Sequence, residues 1–270
     1  MPPDHAARLP ALDTVRGVLA CLVVGSHVAV WSGATPPPQL ANFAVDGFFL
    51  LSGYVLALSY DGHFAALLVR RFIRLWPVYA LCLVVGYALH GMRPLWPELI
   101  WFPTARMAHL DLTDKPIWTL YIEAWATPLL PLMVTLARTN RTLGMAAAGA
   151  FFTVYLTLSQ TQTMLYFSLF VLGVAGAQWR LALPPVPRWS VWFGQQAYSL
   201  YLTNWLVLVV FARWFGPAGA IYAIPAIFAV AWAVWWAVER PSIALSRLAA
   251  REIKRRAARA APAPRAIAGT

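Results

Sequence analysis

Long apolar runs separated by short polar connections recur along the chain and predict eight membrane-crossing helices, near residues 12–31, 43–60, 75–91, 117–137, 143–159, 163–179, 194–214 and 218–238. Each approaches the ~20 apolar residues that cover a hydrocarbon core, with tilt absorbing the differences. The 92–116 connection is the longest, and its "LWPELIWFP" reads as a re-entrant or interfacial piece, because about nine helical residues cannot cross. The expected fold class is therefore an all-α polytopic transmembrane bundle of about eight spans, without internal repeats.

Composition strengthens this reading. Hydrophobic residues make up 60% of the 270 positions, charged ones only 11%, and mean hydropathy is +0.62, which excludes an ordinary soluble domain. Cys21 and Cys82 lie in apolar runs and read as small packed hydrophobes. The net charge of +11 follows no nucleic-acid motif, so no nucleic-acid partner is expected. With the N-terminus inside, sixteen of the 21 Lys and Arg residues fall in inner segments, four (Arg93, Arg106, Lys115 and Arg213) in outer ones, and Arg16 within the first span. That bias favours an even number of spans with both termini cytoplasmic. Residues 1–242 then form a membrane domain, and 243–270 a basic cytoplasmic tail that anchors by charge in preference to recognising a particular lipid. The N-terminal segment reads as a retained span and not a signal peptide, because Asp13, Arg16 and His27 flank or interrupt its apolar region.

Arg16 and His27 are eleven positions apart, three turns plus about 20°, so they share one helix face at a separation of roughly 16 Å along the axis. A charge within a span costs roughly 2.5–3.5 kcal/mol on insertion scales and normally faces a bundle interior or a watery cavity. One reading has Arg16 snorkel to the headgroups and His27 hydrogen-bond a neighbouring helix, and Arg16 alone fits it as well as a functional role; the pair on one stripe, with the small Ala20 and Val23 leaving room between, points to function. Other residues admit two readings each. Glu123 either helps His27 or pairs with an arginine such as Arg16, and Asp13 pairs with Arg16 or caps its helix. Arg70, Arg71 and Arg74 anchor the chain or bind an anionic ligand. Ser52 and Gly53 permit close packing or touch that ligand. Asp46, Trp118 and Thr119 meet water and headgroups or a second substrate. Tyr198 and Tyr201 read first as core, and Glu239 in "ERP" reads as a helix stop.

"LDTVRGVLACLVVGSHV" resembles the first-span signature of the acyltransferase-3 family of membrane acyltransferases. "VDGFFLLSGYVLALSY", "RRFIRLWPVY", "PIWTLYIEAW", "AYSLYLTNW" and "VERP" resemble further family segments in the family's order, covering about residues 11 to 242. Three positions depart from the pattern: Thr119 stands where Ser is usual, Ala124 where a second acid is common, and Asn204 where a His is frequent. A pair of spans common in the family is also missing before "VWFGQQAYSLYL".

The resemblance implies transfer of an acyl group, most often acetyl from a coenzyme A thioester, to a hydroxyl of a carbohydrate, in a bacterial inner membrane. Under it His27 is the expected catalytic base or covalent acyl carrier, with Glu123 as helper. Arg16, Arg71, Arg74 and Ser52 are expected at the donor, since guanidinium forks suit phosphates. Asp46, Trp118, Thr119 and Tyr201 are expected at the acceptor. The expected partners are acyl-coenzyme A as co-substrate, the carbohydrate and membrane lipid. No metal or other cofactor is implied, and oligomerisation stays open. A proton-coupled transporter and a lapsed family member serving as a subunit are the alternatives.

Overall fold

A computed structural model of the chain describes residues 9–35, 38–92, 99, 115–159, 162–179, 181 and 183–260. The described residues form helices and no strands. In chain order these are α1 (Pro10–Trp31), α2 (Pro38–Ser59), α3 (Phe64–Leu89), α4 (Trp118–Thr139), α5 (Arg141–Val154), α6 (Gln162–Gly176), α7 (Arg188–Gln195), α8 (Ala197–Phe215), α9 (Gly219–Val234) and α10 (Arg240–Ala260). A 3-10 turn, Lys115–Ile117, leads into α4; π-helical turns follow α5 at Tyr155–Ser159 and join α9 to α10 at Trp235–Glu239.

Each interval expected to cross is mainly helical, yet among the described residues five helices combine the length and apolarity to do so: Pro10–Trp31, Leu40–Ser59, Phe64–Leu89, Trp118–Thr139 and the continuous Gly219–Ala260. The other three fall short for separate reasons. The 143–159 helix loses its α geometry after Val154, and α6 has 15 residues, about 22 Å of rise. The third, α8, is 19 residues long but carries Ser199, Thr203 and Asn204, all buried, which lower its hydropathy while turning polarity inward. The "LWPELIWFP" segment lies, apart from Leu99, outside the described residues, as does the end of the tail beyond Ala260.

Packing explains why the helices sit where they do. Helices α2 and α6 cross at backbone contact. A Cβ on Gly53 would meet the Phe170 carbonyl, and one on Gly173 the Leu50 carbonyl. Small residues at a crossing are how membrane helices gain dispersion contact where lipid removes the hydrophobic drive. The same device joins α1 to α7, where Gly17 lies over Gly194. The inner faces bury Leu83, Leu130, Phe170, Leu208 and Ile227, while Val18, Leu132, Ile221 and Trp236 project outward. Such an apolar exterior suits lipid.

Helix α10 packs along α3 and is tied there by ions. Lys254 contacts Asp61 in the α2–α3 connection, and Arg70 donates to Ser59 Oγ at 3.0 Å. Burial alone lifts the Asp61 carboxyl; Lys254 and the His63 backbone N–H outweigh it and hold the carboxyl below its ordinary range.

Candidate functional site

Helix α1 turns its Arg16–His27 stripe inward as the spacing requires. Ala20 and Val23, the residues between, are fully packed at 0% and 2% exposure. They fill the stripe that their small size was read as leaving open.

At the Arg16 end, charge from four helices converges. Arg71 of α3 pairs with Glu123 of α4 at 2.5 Å, and Ser52 of α2 donates its hydroxyl to the same Glu123 oxygen at 3.0 Å. Arg16 reaches Asp13 at 3.4 Å and lies within electrostatic range of Arg71, Arg74 and Glu123. A third carboxylate completes the group. Glu239, at the end of the π-turn, is 0% exposed and accepts from Ser199 Oγ at 2.6 Å and Ser199 N at 3.2 Å, with Arg74 and Arg16 in range. Each buried acid is thus held by one serine and faces an arginine, the arrangement that makes ions tolerable away from water. Four residues expected at the donor, Arg16, Arg71, Arg74 and Ser52, do come together.

Glu123 does not reach the histidine. The described structure commits it to Arg71 and Ser52, and His27 instead meets Asn204 of α8, whose Oδ1 lies 2.6 Å from His27 Nδ1. The Asn204 amide nitrogen donates to the carbonyls of Leu200 at 3.0 Å and Tyr201 at 2.6 Å, so the face turned to His27 is purely an acceptor. That pattern assigns the proton to Nδ1 and the lone pair of the neutral ring to Nε2. Trp205 meets the imidazole edge to face at 5.2 Å and itself packs against Trp31 at 5.3 Å.

The residues expected at the acceptor separate. Asp46 has a buried Oδ1 with no hydrogen-bond partner among the described residues, and lies in electrostatic range of Tyr166. Tyr166 stacks on Phe49 at 4.7 Å and approaches Trp118 at 5.2 Å, so Asp46 and Trp118 share one aromatic cluster. Thr119 instead donates to the Pro116 carbonyl at 3.0 Å, securing the start of α4. Tyr201 packs against Phe48 at 5.5 Å inside the core, and Tyr198 donates to the Leu75 carbonyl at 2.8 Å. No group of three or more His, Cys, Asp or Glu side chains able to hold a metal occurs among the described residues.

Sequence reasoning missed Ser199, Trp205 and Tyr166, read Glu239 only as a helix stop, and noted Asn204 only as a departure from a pattern. The available signal was polarity in the wrong place: Ser199, Thr203 and Asn204 recur at i, i+4 and i+5 within an apolar helix.

A family model described as an acyltransferase domain matches residues 9–188. "Protein 2 in picA locus" of Rhizobium radiobacter is 38% identical over 94 residues, which cover 31% of this chain and 45% of that protein. No solved structure matches the chain.

Proposed function

The chain belongs to the acyltransferase-3 family of membrane acyltransferases, and on that premise we propose that it moves acetyl from acetyl-coenzyme A onto a hydroxyl of a cell-surface or lipid-linked carbohydrate. The observation that carries the reading is the single buried stripe of α1. It presents Arg16 to an arginine and carboxylate cluster and, about 16 Å further along, an oriented imidazole.

In this reading the donor is held at the Arg16 end of that stripe and the acceptor hydroxyl sits at the His27 end, so the packed segment at Ala20 and Val23 has to open for the two to meet. Arg16, Arg71 and Arg74 hold and orient the donor from the cytoplasmic side, with Ser52 and Glu123 fixing Arg71. The acceptor hydroxyl oxygen attacks the thioester carbonyl carbon; a C–O bond forms and the C–S bond breaks. His27 Nε2 takes the hydroxyl proton, and the departing thiolate receives it. As the ring becomes positive its Nδ1–H strengthens its bond to Asn204 Oδ1, stabilising the imidazolium without supplying a charge of its own. Asp46 and the Trp118 aromatic cluster suit a sugar, offering an acceptor for hydroxyls beside apolar ring faces. The basic residues favour an even number of crossings with both termini inside, and the bacterial inner membrane with eight crossings is the location proposed with that topology.

Purified protein incubated with labelled acetyl-coenzyme A and a membrane glycan extract tests this. Alkali-labile label on the glycan, lost in His27→Ala, is the expected result. Proton or solute flux across proteoliposomes with no ester formed would replace the reading with a transporter.

A further inference from the structure

Three arginines approach the donor cluster, and three carboxylates accompany them: Asp13 with Arg16, Glu123 with Arg71, and Glu239 facing Arg74. Formal charge in this layer is therefore close to zero, which is a poor match for the phosphates of a nucleotide. Within it, two buried atoms lack hydrogen-bond partners among the described residues: Arg74 Nε, a donor, and Glu239 Oε1, an acceptor. Neighbouring bonds bring the two residues to one place, since Tyr198 donates to the carbonyl of Leu75 beside Arg74 and the adjacent Ser199 donates to Glu239, yet the two orphaned atoms do not bond each other. Buried polar atoms without partners are rare in native proteins and call for a specific explanation.

Their chemistry restricts the ligand that completes them. An anion at Arg74 would meet the buried Glu239 carboxylate, and a cation at Glu239 would meet the Arg74 guanidinium. A neutral group carrying one N–H or O–H and one carbonyl or hydroxyl oxygen satisfies both atoms without adding charge. We infer that Arg74 Nε and Glu239 Oε1 form a binding site for a neutral amide of the thioester donor's pantetheine arm, with Ser199 locking the carboxylate in place. This rests on the coenzyme A reading of the function. It moves Arg74 from the phosphates to the arm, and leaves the phosphates to cations nearer the α2–α3 connection such as Arg70. The π-turn that carries Glu239 fits such a role, since π-bulges within α-helices frequently occur at functional sites.

Titration of the purified protein in detergent with coenzyme A, and separately with phosphoadenosine diphosphate, its nucleotide half without the arm, tests the site without requiring an acceptor. The wild type is expected to bind coenzyme A at least about tenfold tighter than the nucleotide half, the effect of hydrogen bonds to charged buried groups. E239Q and R74K are each expected to narrow that ratio to roughly threefold or less. A ratio near one in the wild type, or one preserved in the folded variants, overturns the inference while the donor reading stands. Failure of the wild type to bind either ligand removes the donor reading and the inference with it. R74K, which keeps the positive charge opposite Glu239, decides the outcome should E239Q not fold.

Discussion

His27 of α1 and Asn204 of α8 meet through a 2.6 Å contact in which the amide can only accept. Two helices distant in sequence thereby fix which imidazole nitrogen carries the proton. Replacing Asn204 with Ala or Leu should lower kcat for acyl transfer by roughly ten- to a hundredfold, with donor KM nearly unchanged. His27→Ala should cost on the order of a hundredfold or more. Steady-state kinetics on the three variants separate these effects; equal loss of KM and kcat in the Asn204 variants would assign them to packing.

Arg71 and Glu123 form a largely buried pair, with side chains 15% and 19% exposed. Glu123→Gln or Arg71→Ala alone leaves an uncompensated ion and should destabilise by about 3–5 kcal/mol. Joint replacement by apolar residues of similar size should recover part of that loss. Thermal unfolding in detergent of both singles and of the apolar double checks that order of stability.

Gly53→Ala sets a methyl group against the Phe170 carbonyl. Backbone cannot yield as a side chain can, so destabilisation at or above the roughly 1–3 kcal/mol typical of overpacking is expected. Gly25→Ala, where an added Cβ meets nothing within 4 Å, is the matched control and should be near neutral. Melting temperatures of the two variants provide the comparison.

The Asp61 contact to Lys254 gives α10 a defined pH response. The folded carboxyl sits below its unfolded value of about 3.9, so its stabilisation is fully present above that value and fades as pH falls through the lower folded one. Hydrogen exchange across the end of α10 should therefore show unchanged protection from pH 5 to 8. Asp61→Asn should raise that exchange at pH 7.

Helix positions were legible because a bilayer demands long apolar runs; the helical period set Arg16 and His27 on one face, and the cost of a charge in lipid turned that face inward. Crossing capacity was harder to read. An apolar run does not reveal that its α geometry ends at Val154, nor that α8 hides Ser199 and Asn204 from lipid while facing them to α9–α10 and α1. The arginine cluster was visible, but its partners were not. Pairing depends on which helices adjoin, and Glu123 went to Arg71 because α2, α3 and α4 converge there. Glu239 looked like a helix terminator beside Pro241, since only the three-dimensional structure shows Ser199 lying over it.

The 42-residue helix Gly219–Ala260 would extend about 63 Å if straight, against a hydrocarbon thickness of about 30 Å. Such a rod works as a depth gauge. When its apolar first half is immersed, Glu239, at its midpoint, comes to rest at the boundary between acyl chains and headgroups. A thioester could then thread its slender end inward from that plane while its bulky, multiply charged head stays in water and never crosses the oil.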